Sequence, residues 1–354
     1  MFAVVAGMAV RAAEPSGSLP VLYVNTVGGA SIDSKETYVN ATYYLDPKGH
    51  DVLPLGSRDA QLPLEIRGRG NYTWTDFEKK PYRLKLGEKA ELMGCASSRH
   101  FALLAHADDN QGFLRNAIGF ELSRILEMPW TPDDKPVELV LNGDYKGLYF
   151  LTETVRVAKK RVNVTEQADL SATDVDGGWL VEIDNYDTDP HISVMEKSPE
   201  PYEIYFTYQS PEQLSQAQRD FLQAEMERIN TLVYDADKSN CRWADYVDLD
   251  QLARYYVVQE LVDDYEAFHG SCYLYRERGA TEKWHFGPVW DFGNAFVFSK
   301  NDYIFEGREW HQVWIGEMCK FPHSWTRSRR STKSSLTMAA RTKFKPTSTR
   351  MSAP

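Results

Sequence analysis

The sequence predicts an α+β fold in which mixed or antiparallel sheets pack with helices. Three observations carry this. Several short stretches alternate apolar and polar side chains between Gly, Pro or Asn residues, as strands do. Three longer stretches repeat apolar residues at the helical period. The 354 residues, 42% hydrophobic and 13% aromatic, are enough to bury a sizeable core.

Residues 19–25 and 37–45 are rich in Val and Tyr and read as strands. Leu64-Glu65-Ile66-Arg67 alternates into the turn Gly68-Arg69-Gly70-Asn71. Period 2 puts Leu64 and Ile66 on one face and Glu65, Arg67 and, one step on, Arg69 on the other. In Tyr82-Arg83-Leu84-Lys85-Leu86 the apolar residues face a core and Arg83 and Lys85 share the opposite face. If these strands are neighbours, up to four cations converge beside a glycine turn, which suits an anion such as a polyphosphate.

Residues 113–127 read as a helix that ends at Met128-Pro129. Residues 137–141, Asn142-Gly143 and residues 147–151 form a hairpin signal, with Glu153 just past the second strand. Gly177-Gly178 introduces a strand over 179–184, in which Leu180, Glu182 and Asp184 share a face. Residues 211–232 and 249–262 are expected to be helical, and 271–276 and 283–289 to form a second hairpin.

The two ends differ from this pattern. Residues 1–18 read as a signal peptide, an apolar run followed by Arg11-Ala12-Ala13-Glu14, truncated in that it lacks a basic start. That implies a secreted or cell-surface location. Residues 321–354 hold eight Lys/Arg, 13 Ser/Thr and no acid, with no hydrophobic period. They read as a disordered basic tail or an out-of-frame segment. Setting that tail aside changes the net charge from −11 for the chain to −19 for residues 1–320. Residues 19–320 are then one domain, with its completeness at the C-terminal side left open.

Some function classes are excluded. No apolar run reaches the ~20 residues that span a bilayer. Four scattered Cys make neither a disulfide framework nor a zinc site. The acidic balance opposes nucleic-acid binding as a main role. Nine Trp and many carboxylates would suit a glycosidase, but a basic strand has no part in that chemistry, and core packing accounts for Trp equally well.

The chemical signal is a helix ending in Asp263-Asp264, then a hairpin, then Trp290-Asp291-Phe292-Gly293. One acid at a helix end and another just past a strand suit phosphoryl transfer. One orients the acceptor hydroxyl and the other holds Mg²⁺ against phosphate oxygens. Acids at a helix C-terminus oppose the macrodipole, which favours a functional reading of their placement.

Five ordered segments carry a family resemblance: Arg67-Gly68-Arg69-Gly70-Asn71-Tyr72-Thr73-Trp74; Lys79-Lys80-Pro81-Tyr82-Arg83-Leu84-Lys85-Leu86; Leu141-Asn142-Gly143-Asp144-Tyr145-Lys146-Gly147; Gly177-Gly178-Trp179-Leu180-Val181-Glu182; and Gly287-Pro288-Val289-Trp290-Asp291-Phe292. Together they resemble the CotH kinase family (spore coat protein H). The resemblance implies an atypical, two-lobed protein-kinase-like fold using ATP and Mg²⁺, with a protein Ser/Thr hydroxyl as acceptor and a spore-coat association. By position it implies Asp264, or else Asp263, as the catalytic acid and Asp291 as the metal ligand. It also implies Lys85, Arg83, Arg67, Arg69 and Glu153 around the nucleotide. The chain departs from the family pattern at Gly293 and Gly270. Those departures motivate the alternative of a non-catalytic surface or coat-assembly protein on the same scaffold.

Overall fold

The computed structural model describes residues 14–109, 112–167, 173–184, 186, 189–197, 202–297, 304 and 313–321. Most of the expected signal peptide and all but the first residue of the expected basic tail lie outside them. The chain divides into two compact units, Met1–Asn110 with Asp133–Thr154, and Gln111–Pro132 with Val155–Pro354. The predicted α+β composition is found. Among the described residues no helix is long and apolar enough to cross a membrane.

The first unit is a closed seven-stranded barrel, which the sequence reading did not foresee. Its strands are β1 (Val21–Thr26), β2 (Val39–Asp46), β3 (Leu62–Gly68), β4 (Tyr82–Ala90), β5 (Ser98–Leu104), β6 (Asp134–Leu141) and β7 (Asp144–Glu153), with a one-turn helix α1 (Tyr72–Thr75). Neighbours are antiparallel except at the closure, where β1 runs parallel to β6 and Val24 faces Leu141. Closure leaves no open edge. The alternation fills the interior as expected: Leu64, Ile66, Leu84 and Leu86 are buried, while Glu65, Arg67, Arg83 and Lys85 are only half-buried.

Gly68 of the expected phosphate turn, and Lys79 and Lys80 ahead of β4, serve this architecture. A Cβ at Gly68 would stand 2.5 Å from the Trp74 ring, which covers it. The Lys80 Nζ donates to the Trp74 carbonyl at 2.5 Å. Lys79 donates to the Ala105 carbonyl at 2.9 Å and to that of Leu148, and lies 4.6 Å from the Tyr149 ring centre. The β6–β7 turn is the two-residue Asn142-Gly143, both at positive φ (54° and 85°), the combination that matches strand twist. Asn142 Oδ1 also accepts from Thr26 N at 2.8 Å, tying the turn to β1.

The second unit holds α2 (Arg115–Ile125), β8 (Trp179–Asp184), β9 (His191–Met195), β10 (Glu203–Ser210), α3 (Gln216–Val233), α4 (Leu249–Val262), β11 (Cys272–Arg276), β12 (His285–Phe286) and the short α5 (Ile315–Met318). The strands form one sheet in the order β12-β11-β8-β10-β9. Trp179, Trp243, Trp284 and Trp314 are fully buried, so core packing accounts for these four.

Two predicted boundaries are corrected. The helix expected from 211 starts at Gln216, because Ser215 caps it and exchanges hydrogen bonds with Gln218 in a capping box. The strand expected over 283–289 is only His285–Phe286; the chain then leaves the sheet through Gly287, at φ 119°. The helix expected over 249–262 has those bounds.

Candidate active site

The sequence-predicted residues divide between the units. In the barrel, β3 and β4 pair so that Glu65 faces Lys85 and Arg67 faces Arg83. Lys85 Nζ lies 2.7 Å from Glu65 Oε2. The Tyr38 ring lies 5.1 Å from the Arg67 guanidinium and 5.5 Å from the Lys85 ammonium. The three cations therefore share one outer strip, as the alternation predicted. Arg69 sits beyond it, where its backbone N–H donates to the Pro81 carbonyl at 3.3 Å. Glu153 is buried, and its oxygens accept from Ala96 N at 3.0 Å and Asp133 N at 3.1 Å. It braces two loops of the barrel.

In the second unit the acids come together. Asp263 is the C-cap of α4, left-handed at φ 53° and ψ 49°, and is buried. Glycine usually takes this position; an L-residue there costs roughly 1 kcal/mol, and an acid also opposes the helix dipole. Asp264 follows at 1% exposure, with Oδ1 accepting from Glu266 N at 3.3 Å. The Asp264 carboxyl is pushed well above its ordinary range, first by burial and then by the charges of Glu266 and Asp291.

Asp291 is exposed and also left-handed, at φ 57°. Its Oδ1 accepts from Gly293 N at 3.2 Å. Phe292 beside it is fully buried. Strained backbone at two of the three candidate acids is the kind of outlier from which function can be hypothesised.

The sheet adds a further acid. Glu182, at the centre of β8, faces Tyr273 on β11 and Thr207 on β10. Gln209 Nε2 donates to Glu182 Oε2 at 2.9 Å. Burial, then Asp184, pushes the Glu182 carboxyl well above its ordinary range, and Asp189 and Asp291 add to this against the hydrogen bond from Tyr273. The charges acting on Asp264 and Glu182 are thus anionic, and Asp291 is common to both.

Sequence reasoning did not single out Glu266. Asn294 donates an amide N–H to Glu266 Oε2, and Tyr265 donates its hydroxyl to Asn294 Oδ1 at 3.0 Å. Its only sequence signal was an acid two residues past Asp264. Among the described residues no three His, Cys, Asp or Glu side chains are arranged to hold a metal ion by themselves. Mg²⁺ is commonly held by one or two carboxylates, with substrate phosphates and water completing the shell. A cluster in which acids raise the proton affinity of Asp264 and Glu182 fits that chemistry.

No curated protein matches the chain. Residues 66–330 match the family model described as CotH kinase protein. The chain therefore belongs to the CotH kinase family.

Proposed function

We propose that the chain is a CotH-like atypical protein kinase, transferring the γ-phosphoryl group of ATP to protein Ser/Thr hydroxyls on a two-lobed kinase-like fold. The observation that carries this is that the charge of Asp291 acts on both Asp264 and Glu182 and that of Glu266 on Asp264, in carboxylates brought together from the turn after α4, from β8 and from the segment after β12. Asp264 orients the acceptor hydroxyl. Its raised proton affinity suits an acid that must take up the hydroxyl proton as the phosphorus–oxygen bond forms. Asp263 shapes the turn that presents it. Asp291, exposed and next in the field of both buried acids, is the residue that would hold Mg²⁺. The metal supplies charge neutralisation at the phosphate oxygens. Arg67 and Arg83 face each other across β3 and β4 and put two guanidinium groups on the strip that would meet the phosphates. Lys85, paired with Glu65, completes that strip as the phosphate clamp.

Family membership supports a spore-coat association, and the signal-like residues 1–18 support an extracytoplasmic setting. The partner is a protein rich in hydroxyl side chains.

A second reading is favoured by Gly293 and Gly270, where the chain departs from the family pattern. It is a non-catalytic surface or coat-assembly protein. Thermal unfolding with ATP and Mg²⁺ separates the two. A ligand at 100 times its dissociation constant stabilises by ~2.7 kcal/mol. A rise in Tm that requires both nucleotide and metal supports the kinase; no rise supports the assembly protein.

A further inference from the structure

Asp291 lies in a loop, so the geometry of its carboxylate depends on what fixes the loop. Asn116, buried in the first turn of α2, accepts a hydrogen bond from Phe292 N at 2.9 Å. Its neighbour Arg115, also buried, donates through Nη1 to the Gly293 carbonyl. Two consecutive helix residues thus hold the backbone on both sides of Phe292. One turn further, Gly119 and Phe120 receive the Phe292 ring, which stands edge-on to Phe120 with centroids 5.8 Å apart. Positions 116, 119 and 120 share a helix face.

A buried amide and a buried guanidinium are costly choices for packing alone, because each must find partners away from water. Here both are aimed at the main chain of the acid-bearing loop. The segment is tied down again on its far side, where Phe296 N donates to the Val262 carbonyl at the end of α4 at 2.9 Å. We propose that Arg115 and Asn116 are positioning residues that hold Asp291 in its left-handed conformation, ready to receive a divalent cation. This rests on the reading of Asp291 as the metal ligand given above.

The test uses the full chain and Mn²⁺ as the probe. Hydrogen exchange is followed over residues 289–296, and Mn²⁺ affinity is measured by electron paramagnetic resonance. Asn116→Leu is expected to speed exchange of that segment at least ten-fold and to weaken Mn²⁺ binding at least ten-fold, with α3 and α4 as protected as in the parent. Asn116→Asp keeps an oxygen acceptor in place and is expected to restore the protection. Arg115→Met provides an independent variant with the same expected direction should Asn116→Leu fold poorly. The proposal is overturned if a folded variant binds Mn²⁺ as tightly as the parent, if α3 and α4 lose protection together with the loop in both variants, or if the parent binds no Mn²⁺. A parent that binds Mn²⁺ but transfers no phosphate refutes the kinase reading and leaves the positioning role of Arg115 and Asn116 standing.

Discussion

Gly119→Ala tests whether α2 seats the Asp291 loop. In an isolated helix the change would help, by about 1 kcal/mol. Here a Cβ would lie 2.3 Å from Phe292 Cε2, 2.4 Å from Cζ and 2.5 Å from Cδ2. Carbon atoms pack at roughly 3.5–4.0 Å, so the ring must retreat by more than ~1 Å. Its freedom to do so is small: Phe292 is fully buried, edge-on to Phe120, and its N–H is held by Asn116. Overpacking of this kind costs ~1–3 kcal/mol, so after the helix gain the net loss is up to about 2 kcal/mol. The chemical effect should be larger than the stability effect. Asp291 is the next residue, and a displacement near 1 Å can cost ~10²-fold in rate. The assay is kcat for transfer from labelled ATP at saturating Mg²⁺, with urea unfolding of the same sample. Adding Phe292→Leu should recover at least ten-fold of the lost rate, giving a non-additive cycle. A Gly119→Ala protein that is more stable than the parent and transfers at the parent's rate refutes the reasoning.

Three further outcomes follow from the same arrangement. Asp264→Asn removes one of several repelling acids and keeps an acceptor for Glu266 N, so it should stabilise the unliganded fold by about 1–2 kcal/mol while abolishing transfer; differential scanning calorimetry and the transfer assay check the two halves. The Asp264 and Glu182 carboxyls lie above their ordinary values of 3.8 and 4.5 in the fold, so the folded state keeps protons that the unfolded chain releases. Their contribution is therefore complete below about pH 4 and is lost as pH rises toward the folded values, and a Tm series against pH should show this decline flattened in Asp264→Asn/Glu182→Gln. Lys85→Ala breaks a pair whose side chains are 32% and 35% exposed, so stability should fall by less than ~1 kcal/mol, whereas KM for ATP should rise about ten-fold.

The parts of this fold that were legible in the sequence are those written in local pattern. Alternation assigned the inner and outer faces of β3 and β4, Asn142-Gly143 marked the β6–β7 turn, and the apolar stripe gave the limits of α4. Barrel closure was not legible, because the parallel pairing of β1 with β6 joins segments more than a hundred residues apart and leaves no periodicity in either. Some signals were present and passed over. Ile204, Phe206 and Tyr208 alternate along β10, and Ser215-x-x-Gln218 spells a capping box at the start of α3. At the candidate site Asp263 and Asp264 were nameable from their unfavourable place at a helix end, and Asp291 from its place past a strand. Their gathering with Glu182 and Glu266 depends on sheet register and on a turn, which a single sequence does not encode locally. The same holds for Arg115 and Asn116, which read as ordinary polar residues of a helix until their main-chain partners 176 and 178 positions away are known.

The central claim is that the Asp264–Asp291 carboxylates carry out phosphoryl transfer. It is tested most directly by incubating the chain with γ-labelled ATP, Mg²⁺ and a Ser-rich acceptor protein, alongside folded Asp291→Ala and Asp264→Ala variants. The account predicts label on acceptor hydroxyls with the parent and none above background with either variant. Transfer by Asp291→Ala at the parent's rate would contradict the assignment of the site, and a parent that neither transfers label nor gains stability from ATP with Mg²⁺ would contradict the function.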